Sequence, residues 1–366
     1  MKFSINQGEL ANALSIVQKG ISTRSTLPVL SGVFIETSVD TVTFQTTDLE
    51  LSIRYTTSAL IEEEGSAVVP GKLILDIVKS LPDAAVHLDT QDFDVYVTCE
   101  NSSFSIKGLN PQDFPGFPTV SPDQQISVPF TTFSEMAKQV SRVVSKDESR
   151  PVLTGVLIER EGATLRMVAT DSYRLAVSER DIEGEGTAGE FSAIIAGAFV
   201  SEIAALPKSG EDITLGLADN QIIIAYGGTT FVNRRIEGRY PNYRQLLPKS
   251  YDTRAVVDTA QIVAATKRAS LLDRAGAQVK YSISKAGALE LSSMSQDVGS
   301  TQETLAAQVE GEDVEIAFNS AYVLDGLNVL GDDTVALEVT TSLKPGIFKG
   351  ASKPGYLYLV MPVRFD

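Results

Sequence analysis

Apolar residues along the chain fall into two rhythms. In six segments they recur every three or four positions, as at Leu10, Leu14, Val17 and Ile21 or at Phe199, Ile203 and Leu206. That spacing lays one apolar stripe along a helix, and it predicts helices over residues 8–20, 71–81, 132–146, 197–208, 259–274 and 319–330. Between them run stretches such as VTFQT, VYVTC and ITLGL, whose alternation is that of half-buried antiparallel strands. A helix with a single stripe needs a sheet to cover it, so the expected unit is an α+β layer with two helices lying on sheet.

The rhythm itself repeats. LPVLSGVFIE from Leu27 and RPVLTGVLIE from Arg150 share seven of ten residues at an offset of 123. Asp48, after Thr47, returns at the same offset as Asp171 after Thr170, and Val33 and Val156 continue to Val279. VVPGKLILDIVKSLP, IIAGAFVSEIAALP and IAFNSAYVLDGLNVL each read as a strand running into a helix. GLNPQDFPGFP and IEGRYPNYRQLLP close the first two units with the pairs Phe114-Pro115 and Tyr240-Pro241, turn chemistry that marks boundaries. Three tandem units are therefore expected, at residues 1–121, 122–250 and 251–366. No Gly/Ser-rich linker separates them, which favours rigid neighbours over loose beads. Whether they form a rod or a closed arc stays open at this level.

Composition narrows the class. A hydrophobic content of 43% with 21% charged residues is that of a folded globular chain. The opening MKFSINQGEL carries one Lys and no apolar core, so no signal peptide is expected. No apolar run approaches the roughly 18 residues of a membrane span. The lone cysteine, Cys99, offers no internal disulfide, and the expected compartment is the cytoplasm.

A formal net charge of −16 argues at first against nucleic acid. The charge is segregated, however: the six helical segments carry ten basic and six acidic residues, a sum of +4, against −20 for the rest. Lys19, Lys79, Lys146 and Lys208 sit at helix ends, where cations also stabilise the macrodipole. If all helices share one face, that face admits a phosphate backbone without reading its sequence. Binding through so few cations would be weak and salt-sensitive.

Catalytic chemistry is thin. The single histidine, His87, lies in a strand-like run, and Cys99 has no second histidine to pair with. No His/Cys cluster, GxxxxGK[ST] loop or GxGxxG turn is present. No metal or cofactor is expected. Asp48 and Asp171 each follow Thr at a strand end and read as turn-capping carboxylates.

MKFSINQGEL, TLPVLSGVFIE, TDLELSIR, GLNPQDFPGFP, VATDSYRLAVSE, EGRYPNYRQLLP, FNSAYVLDGL and YLVMPVRF stand in one order along the chain. In that order the sequence resembles the bacterial DNA polymerase III β subunits, the sliding clamps. The resemblance implies a clamp fold whose head-to-tail homodimer closes a six-domain ring, with helices lining the hole. It implies a non-catalytic processivity factor that encircles duplex DNA and docks the replicative polymerase, the clamp loader and repair proteins through a Gln-Leu-x-Leu-Phe-type peptide. The docking pocket it implies uses Leu153, Thr170, Ser172, Tyr173, Arg174, Leu175, Pro241 and Leu246, with Tyr322, Leu343, Val360, Met361, Pro362 and Val363. Tyr173 stands where many members have His, and Gln245 where many have Arg. DNA contacts are expected from Arg24, Lys72, Lys138, Arg142, Lys146, Arg150, Lys267 and Arg268. The implied dimer interface joins Phe104 and Ile106 to Leu271 and Leu272 of a second copy. A three-repeat peptide scaffold that never meets DNA is the alternative. An enzyme site built from Asp and Glu alone lacks a base and nucleophile pair.

Overall fold

The computed structural model describes residues 1–22, 26–182, 190–272, 278–295, 297 and 299–365. Within them are six α-helices: α1 Gln7–Val17, α2 Gly71–Ser80, α3 Phe130–Val140, α4 Gly197–Ala204, α5 Thr259–Ala269 and α6 Ser320–Leu327. All six predicted helices are found, and several stop early. The third passes into a 3-10 turn at Ser141–Val143, where the Arg142 carbonyl accepts from the Arg174 guanidinium. The fourth ends at Ala204, ahead of Pro207, since the residue before a proline avoids helical geometry.

Local chemistry fixes where helices begin. Asn6, Asp258 and Asn319 cap α1, α5 and α6 by accepting from Gly8, Gln261 and Tyr322 backbone N–H groups. α2 and α4 start instead on glycine, and packing explains why. A Cβ on Gly197 would lie 2.6 Å from Val144, and one on Gly71 would collide with Ile21.

The chain forms two compact units, Met1–Phe130 with Leu206–Arg235, and Thr131–Ala205 with Ile236–Asp366. In the first, a five-stranded sheet runs in the order Leu60–Glu63, Lys2–Asn6, Ala85–Gln91, Asp94–Cys99, Ser102–Lys107. Its eight-stranded sheet runs Gln124–Pro129, Asp212–Ala218, Gln221–Tyr226, Thr229–Arg234, Leu51–Ser58, Thr41–Thr47, Gly32–Ser38, Gly65–Pro70. α1 and α2 pack on each other, and α1 also packs on Thr41–Thr47 and Leu51–Ser58, burying Leu10, Leu14, Val17, Ile74 and Val78.

In the second unit a nine-stranded sheet runs Phe191–Ala196, Gly155–Glu161, Thr164–Thr170, Arg174–Asp181, Tyr356–Val360, Gly346–Gly350, Thr334–Val339, Thr253–Asp258, Gln308–Glu310. A four-stranded sheet runs Gly299–Ala306, Ala288–Ser295, Gln278–Ser284, Val314–Asn319. α5 and α6 pack together here, over a core in which Tyr281, Phe318 and Phe348 meet edge to face. Every strand pair described is antiparallel, as the alternation of side chains predicts.

Sheets run across the sequence repeats, which is why compact units and repeats are cut at different places. Leu51–Ser58 of the first repeat pairs with Thr229–Arg234 of the second. Arg174–Asp181 of the second pairs with Tyr356–Val360 of the third. Ser102–Lys107 and Gly299–Ala306 are outermost in their sheets.

Beyond α6 the chain turns at Gly331 (φ 72°) into Asp332, which is buried. Its carboxylate accepts from Ser352 N (2.8 Å), Ser352 Oγ (2.7 Å), Lys353 N (2.7 Å) and Thr334 N (3.3 Å). Burial alone would raise its pKa, but these donors outweigh it and bring the value down to about 2. A depressed folded-state pKa contributes stability that is complete above the unfolded value and is lost as pH falls through the folded one. Asp332→Asn should therefore destabilise by about 1–2 kcal/mol at neutral pH. In urea melts the gap from the parent should hold above about pH 4 and close toward pH 2; a gap independent of pH would remove this role.

Candidate docking site

Three segments of the second unit build a cavity, one of them residues 239–246. The first is the Pro151–Thr154 3-10 turn, pinned by the Ser145 N–H to Leu153 O bond (2.8 Å). The second is the tight turn between Thr170 and Arg174. Asp171 Oδ1 accepts from Tyr173 N (2.9 Å) and Arg174 N (3.0 Å), and Thr170 Oγ1 donates to Arg174 O (2.7 Å). Ser172 is thereby held at φ 78°. The first repeat makes the same turn with Asp48 accepting from Glu50 and Leu51, and with Leu49 at φ 78°. Both recurrent aspartates are thus turn caps.

The cavity measures about 590 Å³ and is lined by Arg150, Pro151, Val152, Leu153, Thr170, Ser172, Arg239, Pro241 and Leu246. That is within the roughly 300–1,000 Å³ of ligand pockets. Pro and aliphatic side chains form the wall and two arginines stand among the polar groups. Behind it lies a cluster of Leu157, Val168, Leu175, Val177, Ile194, Tyr243 and Leu359, with Val152 and Tyr240 packed on it. Such a surface suits the apolar side chains of an extended peptide, oriented by a few polar groups.

Arg174 joins the middle repeat to the third. Its side chain is 9% exposed and bonds Asp171 Oδ2 (2.9 Å), Asp325 Oδ2 (2.6 Å) and Tyr358 OH (3.3 Å) while stacking on Tyr322 at 4.3 Å. Burial works against its charge, yet Tyr358, Asp325 and Asp171 more than offset it, and its pKa stands above the usual arginine value. The chain end is drawn in through Met361 N to Tyr173 O and Val363 N to Ala317 O, both 2.9 Å. The exposed Tyr173 ring lies 6.5 Å from that of Tyr322.

Most of the expected docking residues fall into three groups. Leu153, Thr170, Ser172, Pro241 and Leu246 line the cavity. Leu343 and Val363 line a second one of about 710 Å³, with Lys280, Glu315 and Phe365. Leu175 and Val360, 1% and 0% exposed, lie beneath the surface, because each belongs to a paired central strand; they support the site and do not face it. Met361 is exposed and Pro362 half-buried. Pro151, Val152 and Arg239 were missed, although the repeated Pro-Val-Leu and the Gly-Arg-Tyr-Pro segment marked their place.

Of the cations assigned to DNA, Lys72, Lys138, Arg142, Lys146 and Lys267 are exposed. Arg24 lies outside the described residues. Arg150 lines the cavity described above, bonding Ser172 Oγ (3.1 Å) and pairing with Asp147 at 3.6 Å. Arg268 is paired with Glu303, which leaves it less charge to offer a phosphate. At the expected interface Phe104 is half-buried and Ile106 is 3% exposed, covered within its own chain. Leu271 is 73% exposed and Leu272 half-buried.

Among the described residues, the catalytic candidates of the sequence do not assemble. His87 Nδ1 is 2.6 Å from Ser4 Oγ in an exposed setting, Cys99 is buried, and no metal-holding trio of side chains occurs among the described residues.

Family models for the N-terminal, central and C-terminal domains of the DNA polymerase III beta subunit match residues 1–118, 127–242 and 244–364. The chain belongs to this sliding-clamp family. It is 35% identical to the beta sliding clamp of Staphylococcus epidermidis, covering 100% of this chain and 99% of that one. The Staphylococcus aureus beta sliding clamp is 34% identical over the same shares. Among solved structures, the Bacillus subtilis sliding clamp superposes with a TM-score of 0.94 at 29% identity, both chains covered in full. A Pseudomonas aeruginosa sliding clamp bound to griselimycin gives 0.94 at 27%, again over both full chains.

For this clamp chain, Arg174→Met leaves Asp171 and Asp325 without their cation. Breaking a buried pair costs about 3–5 kcal/mol. Asp325 is 37% exposed, so a loss of about 2–3 kcal/mol is expected by chemical denaturation. A loss under about 0.5 kcal/mol would show the arginine to be replaceable.

Proposed function

We propose that this chain is the processivity clamp of a replicative DNA polymerase, a non-catalytic ring. Two copies join head to tail, so that six domains, at residues 1–121, 122–250 and 251–366 of each, surround duplex DNA. One observation carries the ring: the two junctions between repeats share one register. Ser52 lies opposite Val232 as Leu175 lies opposite Leu359, and Leu51 opposite Asn233 as Arg174 opposite Val360. The strands equivalent to these are Gly299–Ala306 in the third repeat and Ser102–Lys107 in the first, the two left outermost in their sheets. Applying the junction once more between copies sets Ser300 opposite Ser105 and Thr301 opposite Phe104. Two such contacts close the array, and each also covers an exposed sheet edge.

DNA passes through the ring and is met by exposed cations, among them Lys72, Lys138 and Lys267 on helices and Arg142 and Lys146 just beyond α3. Their small number gives loose, salt-sensitive, sequence-independent contact, while encirclement supplies retention. The polymerase, the loader that opens the ring and repair proteins dock a short Gln-Leu-x-Leu-Phe-type segment, its leucine and phenylalanine against Pro151, Val152, Leu153, Pro241 and Leu246. The reading places the protein in the cytoplasm, and no helix of the described residues is long and apolar enough to cross a membrane.

Ser105→Cys with Ser300→Cys tests closure. Antiparallel partners sit about 4.5–5.5 Å apart between Cα atoms, within disulfide reach, and the native Cys99 is buried. Oxidation should give a covalent dimer that, once loaded, stays on nicked circular DNA and slides off when the circle is cut. Failure to cross-link would reject the register. For docking, Leu246 is 53% exposed, so Leu246→Asp should spare the fold and weaken a labelled Gln-Leu-x-Leu-Phe peptide at least tenfold, about 1.4 kcal/mol, by fluorescence anisotropy. Unchanged affinity would move the peptide elsewhere.

A further inference from the structure

A third cavity in the second unit, of about 410 Å³, shares no lining residue with the candidate docking cavity. Glu135, Lys138 and Gln139 come from α3, Arg180 from a strand end, Val329, Leu330 and Gly331 from beyond α6, and Lys353, Pro354 and Tyr356 from the turn into the last strand. Three cations face one carboxylate there, in a chain whose net charge is −16. Among the described residues none of the three cations is in an ion pair. Their neutral partners are carbonyl oxygens: Lys353 Nζ donates to Gly331 O (2.9 Å) and Arg180 Nη1 to Glu179 O (2.7 Å). A carbonyl orients a cation without cancelling its charge, so the lining keeps a formal excess of two positive charges.

The walls are fixed before any ligand arrives. Asp332 holds the turn at Lys353 through that residue's backbone N–H. Gln139 accepts from Ser178 Oγ (2.6 Å), donates to Val329 O (3.3 Å) and offers its own carbonyl to Tyr356 OH (3.4 Å). Gly355, at φ 104°, leaves room for the Arg180 guanidinium where a Cβ would collide. Cations on three separate, braced elements suit a ligand with several charged oxygens, whereas a lone planar carboxylate is met by one arginine fork.

We propose that this cavity is a phosphate-binding site, taking phosphates of a nucleic-acid backbone or of a free polyphosphate. The backbone source rests on the clamp reading; the anion chemistry does not. The test compares the full-length parent with Lys353→Gln, an exposed position with no part in the DNA contacts proposed above, leaving Lys138 and the tightly packed Arg180 in place. Lys344→Gln removes equal charge from elsewhere. Anisotropy of a labelled linear duplex is followed against NaCl, and calorimetry follows sodium tripolyphosphate. If the backbone is the source, the slope of log K against log salt falls by about 1 in the cavity variant and stays put in the control. If free polyphosphate is the source, saturable tripolyphosphate binding falls at least tenfold in the cavity variant while the duplex slope is unchanged. Neither effect, or equal effects in both variants, overturns the site. Docking-peptide affinity, measured on the same samples, should be unaltered throughout, so failure here is separable from failure of the clamp reading.

Discussion

An antiparallel sheet must find a partner for its last strand, and this chain answers that requirement by lending strands between repeats. Backbone N–H and C=O groups left unpaired are costly when buried and adhesive when exposed. Leu51–Ser58 and Arg174–Asp181 each receive the closing strand of the following repeat. The placement of the candidate docking cavity follows from this. The turn that carries Ser172 and Tyr173 directly precedes the strand that accepts the third repeat, so the same junction that joins the repeats delivers Met361 and Val363 to its neighbourhood.

The junction is reinforced by one polar centre. Arg174 is a strand residue whose side chain is satisfied by a turn aspartate, a helix aspartate and a tyrosine hydroxyl. These belong to segments far apart in sequence, and a guanidinium with its fixed fork of donors can meet them together where a lysine could not. The apolar cavity next to it is therefore held by directional bonds as well as by packing.

Much of this was legible from the residues. The offset of 123 between Leu27 and Arg150 gave the repeat, and helical spacing at Leu10, Leu14 and Val17 gave the helices. Thr-Asp at both strand ends gave the turns. What sequence spacing could not supply is depth. Leu175 and Val360 carry the right chemistry for a docking wall and are covered by the strands they pair with, while Arg150 reads as a phosphate contact and is drawn to Ser172. Arg268 was likewise assigned by charge alone, with nothing nearby in sequence to announce Glu303. Side-chain direction depends on which strand becomes a neighbour, and those pairings span from 174 to 186 residues.

Ile106 illustrates a further point. Although it lies on an outermost strand, its side chain is already covered by its own sheet. A second strand added at that border would meet mostly main-chain groups, each hydrogen bond worth about 0.5–1.5 kcal/mol net, since water takes over when it breaks. In the proposed ring, parting this border would not uncover the interior of the first repeat, so the seam could come undone and rejoin while each subunit stays folded.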